Sequence, residues 1–112
     1  MGHPKFEVKA TKGGHFMFNL TAKNGQVILT SQQYTTKAAC MNGVESVKTN
    51  APVDDRFKRL EAKNGDYYFD LTAGNQQVIG KSEMYSSKVN MENGISSVKE
   101  NAPVAEPEET TA

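Results

Sequence analysis

The phrase NGVESVKTNAPV (residues 42–53) is written a second time as NGISSVKENAPV (residues 93–104). The repetition runs well beyond the phrase. Shifting the chain on itself by 51 residues sets residues 5–53 against 56–104, and 23 of those 49 positions are identical without a gap. A period near 50 also occurs in propellers and solenoids, but those architectures need several units to bury a continuous core. Two units in 112 residues point instead to one fold with pseudo-twofold symmetry, because a chain of this length buries a single modest core.

Within each unit the hydrophobic period changes once. The runs KFEVKAT and RFKRLEA, HFMFNLTA and DYYFDLTA, then QVILTS and QVIGKS are separated by short breaks rich in Gly and Asn. Breaks of this kind between β-rich runs mark hairpins, since tight turns need positive φ. Each unit therefore begins as a three-stranded antiparallel meander. In its middle strand Phe16, Phe18 and Leu20 alternate with His15, Met17, Asn19 and Thr21, and Tyr67, Phe69 and Leu71 repeat the pattern. One face is assigned to the core and the other to water. The copy of the first strand, with Phe57 followed by Arg59 and Leu60, is expected to carry a bulge or to lie at an edge.

After Tyr34 and Tyr85 the period becomes helical. Thr35 and Ser86 are the expected N-caps, and Cys40, Val44, Val47 and Ala51 form an apolar stripe matched by Met91, Ile95, Val98 and Ala102. Asn50 and Asn101 are expected to end the helices in the left-handed region, with Pro52 and Pro103 unable to continue them. Gly43 and Gly94 lie beside the stripe. A missing side chain there lets the helix approach the sheet, offsetting a helix-propensity cost of roughly 1 kcal/mol.

The two-repeat series Tyr34, Lys37, Asn42-Gly43, Ser46-Val47-Lys48, Asn50-Ala51 and its second copy resembles the YegP-like family of small bacterial proteins that carry a domain of unknown function, in its tandem form. The resemblance covers residues 5–104. It implies an α+β fold of two tandem β-β-β-α repeats: one antiparallel six-stranded sheet, two helices packed on one face, and helices exchanged between the halves. It carries no catalytic residue or cofactor. Single-copy relatives are expected to pair, so this covalent pair is expected to be a monomer. The expected layout is a flexible N-terminus (1–4), one domain (5–104) made of repeats 5–53 and 56–104, and a disordered acidic tail (105–112).

Charge and motifs narrow the chemistry. The net charge is zero, with 13 basic and 13 acidic residues. Residues 5–53 carry +4, residues 56–104 carry +1 and the last eight residues carry −3. That imbalance is far short of a nucleic-acid footprint. No phosphate-binding loop, nucleophile elbow or metal-ligand spacing is present. Cys40 reads as a small core residue, and neither His3 nor His15 belongs to a cluster. The start MGHPKFEV lacks a secretory pattern, and no apolar run is long enough to span a bilayer. A cytoplasmic, non-enzymatic protein without cofactor or membrane association is the expectation.

The candidate surface comprises polar residues written twice, Lys37 and Lys88, Asn42 and Asn93, Lys48 and Lys99, together with Met17 and Tyr68 on the sheet face away from the helices. Lys37 and Lys48 fall within about 20° on a helical wheel, so each helix shows a two-lysine edge. The expected function is a binding or interaction module for an unidentified partner, a protein or peptide being foremost. The alternative is a weak binder of RNA or single-stranded DNA through the lysine edges and the sheet face.

Overall fold

Alternation along the first thirty residues of each repeat produces the three strands it predicts. In the computed structural model, which describes residues 3–110, these are β1 (Lys5–Ala10), β2 (Phe16–Thr21) and β3 (Val27–Thr30) in the first repeat. Their counterparts are β4 (Phe57–Glu61), β5 (Tyr67–Thr72) and β6 (Val78–Lys81). Helices α1 (Lys37–Asn50) and α2 (Lys88–Asn101) close the repeats, a 3-10 turn at Asp54–Arg56 joins them, and β7 (Glu106–Thr110) follows.

A single sheet runs through both repeats in the order β4-β5-β6-β3-β2-β1-β7. The halves meet at its centre, where β3 and β6 are antiparallel and share only the Thr30–Lys81 pair. Phe6, Phe18, Leu20 and Leu29 from one half and Phe57, Phe69 and Leu71 from the other join both helix stripes in one core. Every residue of the predicted stripes is buried. Each buried Val, Ile, Leu, Met or Phe side chain among them contributes roughly 1.5–3 kcal/mol of burial before its entropy cost. α1 touches β2 of its own repeat and β5 and β6 of the other, while α2 touches β5 and β3.

The sequence reading predicts six antiparallel strands and a disordered tail from Ala105, and here the structure differs. The described residues form seven strands, and β7 runs parallel to β1, with Glu106 opposite Lys5 and Glu109 opposite Val8. Charge is the reason: Glu106 lies 3.5 Å from Lys48, Glu108 2.7 Å from Lys5, and Glu109 2.7 Å from Lys37. Pro107, which has no N–H to offer, is tolerated because β7 is the outermost strand. Ala105 is fully buried, so removing the tail exposes core as well as an edge. Residues 1, 2, 111 and 112, parts of the flexible N-terminus and disordered tail expected from the sequence, lie outside the described residues. His3 Nδ1 sits 2.7 Å from the Thr21 hydroxyl.

Two further local expectations are corrected, and a choice left open for β4 is decided. The N-caps are Thr36 and Ser87, one residue later than expected, each accepting from the amide three residues on. β4 pairs with β5 in unbroken register, so of the two alternatives for this strand it is an edge without a bulge. Asn50 and Asn101 do not turn left-handed: Ala51 and Ala102 after them are still right-handed, at φ −56° and −58°. Instead each asparagine side chain caps its own helix, donating to the Ser46 carbonyl at 2.8 Å or the Ser97 carbonyl at 2.7 Å.

These two caps are not equally satisfied. Asn50 Oδ1 accepts from Arg56 at 3.0 Å, whereas Asn101 Oδ1 is buried without a partner among the described residues, because Pro107 stands where the repeat would place an arginine. Losing the satisfied acceptor strands Arg56, while losing the orphan removes a desolvation penalty. Asn50→Ala should therefore cost about 1 to 2 kcal/mol more than Asn101→Ala in urea denaturation, and equal costs would refute this.

Candidate interaction surface

The duplicated pattern of the helix start serves packing first. A Cβ built on Gly43 would lie on the Tyr34 hydroxyl and 2.8 Å from Tyr34 Cζ, and one on Gly94 would meet Tyr85 in the same way. The helix thus closes first on a tyrosine ring, and at Gly43 also on Phe18 of β2, 3.1 Å from the same position. Tyr34 is held by reciprocal backbone bonds with Phe16 (2.7 and 2.8 Å) and stacks on Phe18. Burial raises the pKa of both hydroxyls above the ordinary tyrosine value. Burial likewise pushes the Cys40 thiol up, which leaves it unreactive.

The lysine edges separate into three occupied cations and one open one. Lys37 and Lys48 carry tail carboxylates, and Lys99 lies 2.5 Å from Asp54, whose carboxyl that contact holds below its usual pKa. Among the described residues no carboxylate lies within ion-pair distance of Lys88; its ammonium sits 5.8 Å from the Tyr67 ring centre. Beneath it, Arg59, Leu60, Glu61, Tyr67, Lys88 and Met91 line a cavity of about 320 Å³ between β4 and α2. The equivalent ground in the first repeat is Val8, Lys9, Ala10, Phe16, Lys37 and Cys40, and there β7 lies along β1 with Glu109 on Lys37.

The other candidates fall elsewhere. Asn42 and Asn93 are exposed, and Asn93 helps line a hollow of about 290 Å³ with Asn24, Gln26, Glu83, Asn90 and Ser97. Met17 and Tyr68 occupy β2 and β5, three strand spacings or about 14 Å apart, so they do not form one patch. Lys81 lies over the Tyr68 ring at 4.8 Å. A hollow of about 420 Å³ opens at the β3–β6 seam. Its Ser31 and Ser82 hydroxyls already accept from Phe18 and Phe69 and donate to Gln32 and Glu83.

The occupied edge carries its own pH dependence. Its Lys5 partner holds the Glu108 carboxyl down to about 2, against 4.5 unperturbed. A depressed carboxylate stabilises the docked strand above its undocked pKa and loses that contribution as pH falls through the docked one. β7 should accordingly loosen from β1 between about pH 4.5 and about 2, seen as rising amide exchange at Glu106–Thr110 while β5 stays protected. Uniform exchange across both strands would count against it.

Sequence comparison agrees with the duplicated architecture. The family model for a domain of unknown function (DUF1508) matches twice, at residues 12–57 and 62–109. The chain belongs to the DUF1508 family. A UPF0339 protein of Bordetella pertussis is 52% identical over 106 residues, covering 95% of each chain. UPF0339 protein YegP of Escherichia coli O157:H7 is 45% identical over 96 residues, 86% of this chain and 87% of that one. The solution structure of E. coli YegP, described as a protein of unknown function, superposes with a TM-score of 0.92 at 38% identity, covering 100% and 97% of the two chains. That of a UPF0339 protein from Shewanella oneidensis gives 0.90 at 46% identity, covering 96% and 91%. This DUF1508 protein therefore shares its fold with YegP, and the family's function is unknown, so no activity is carried over with it. Among the described residues no three His, Cys, Asp or Glu side chains are grouped to hold a metal, and no helix is long and apolar enough to cross a membrane.

Proposed function

We propose that this DUF1508 protein is a non-enzymatic interaction module that takes up an extended segment of a partner protein on the outer edge of β4. One observation carries the reading: among the described residues, one of two equivalent sheet edges is covered by the chain's own strand and the other is uncovered, beside a cavity and a cation without a counter-ion. An exposed edge offers backbone donors and acceptors to an incoming strand, and neighbouring pockets then select its side chains. The nucleic-acid alternative finds less support, because three of the four paired lysines are neutralised by acids of this same chain. Residues 5–104 are read as one domain, monomeric, with the helices partly exchanged: each helix packs against both halves, so neither repeat completes its core alone. A buried, unpaired Cys40 suits a reducing, cytoplasmic setting.

The test places a photo-crosslinking amino acid at exposed Glu61, beside the cavity, and at Gln33 as a control. Protein adducts formed in lysate at 61 and not at 33 are expected. Nucleic-acid adducts, or none at either site, would overturn the proposal.

A further inference from the structure

The protein contains a worked example of what its bare edge accepts. β7 lies parallel to β1 and places successive carboxylates on opposite faces of the sheet. Glu109, opposite Val8, reaches Lys37 on the helix side, and Glu108, opposite Glu7, reaches Lys5. Moving that arrangement by the repeat shift of 51 residues sets the same two carboxylates opposite Arg59 and Lys58, with Lys88 in the place of Lys37. At one position the second edge is the better electrostatic match. Where Glu108 faces a like charge in Glu7, its counterpart would face Lys58, and cross-strand opposite charges are favoured where like charges are not.

The rest of the template is already supplied by the chain. Lys99, equivalent to the Lys48 that binds Glu106, is taken by Asp54. Arg59, which lines the cavity, is held by Glu92 at 2.6 Å and by Asp54 at 3.2 Å, whereas Lys58 faces Asp70 across the β4–β5 pair and, among the described residues, neither Lys58 nor Lys88 has an ion-pair partner. Resting on the docking role assigned above to β4, we infer that this edge binds an acidic peptide strand, parallel to β4, whose two consecutive carboxylates face Lys58 and Lys88.

The experiment titrates the ¹⁵N-labelled full chain with the free octapeptide AEPEETTA, the sequence of residues 105–112. In the full chain the β1 edge is occupied, so the expected shifts fall at Phe57–Glu61 and around Lys88, and Lys88→Ala should weaken binding about three-fold, as one exposed ion pair would. The peptide AKPKKTTA should leave the spectrum unchanged. Shifts confined to β1 and Lys37 would mean that the added peptide only displaces β7, and would overturn the inference. Shifts at β4 that grow with protein concentration alone would assign the edge to a second copy and also overturn it. So would equal binding of both peptides, or no shift at millimolar peptide. In the last case, persistent crosslinks at position 61 would leave the interaction module standing and remove only its acidic ligand.

Discussion

Leu29→Gly combined with Gly80→Leu should recover most of the stability that either substitution removes alone. The two positions are equivalent in the repeats and meet where the halves join. A Cβ on Gly80 would lie 2.7 Å from Leu29 Cγ and Cδ2, so one leucine fills the space that strict symmetry would give to two. Leu29 is completely buried. Its loss leaves a cavity costing about 4 kcal/mol, and Gly80→Leu overfills the same space at about 2 kcal/mol or more. In the double variant the leucine enters from β6 instead of β3. Recovery to within about 1 kcal/mol of the parent means that urea midpoints of the four proteins should give a coupling of about 5 kcal/mol, and simple additivity would show that the two sites do not share one space.

Alanine at Gly43 or Gly94 is the second large effect, and its sign is the informative part. At an exposed helical glycine the change would stabilise by about 1 kcal/mol. Here the added methyl meets a tyrosine that cannot withdraw, since Tyr34 and Tyr85 are tied by backbone bonds to Phe16 and Tyr67 and stacked on Phe18 and Phe69. A net loss of about 1 to 2 kcal/mol is expected for each. A rise in thermal midpoint for either variant would show that the tyrosine contact is not tight.

The helix stripes, the hairpins and the close approach at the glycines were all legible because each is local. Side chains three or four residues apart on a helix, or two apart on a strand, share a face whatever the rest of the chain does. The docking of residues 106–110 was not legible from composition, although both charges were on the page: +4 in residues 5–53 and −3 in the tail. Acidic residues around a proline look like a solvated terminus until a strand with lysines on and beside it is brought alongside them. The candidate surface suffered in the same way. Lys37, Lys48, Lys88 and Lys99 are equal in sequence, and only their neighbours in space make three of them structural and leave Lys88 open.

The sequence by itself determined that this chain is a duplicated β-β-β-α protein with an apolar stripe on each helix and a glycine beside it, because those features follow from periodicities of two and of 3.6. Only the tertiary structure decided how the copies stop being equal. One leucine serves both halves at the seam, one cap has its arginine and the other does not, and one edge is covered by the tail while the other stays bare. Each inequality is a pairing between residues far apart in the chain, and such pairings are selected by distance in the folded molecule, which no local pattern encodes.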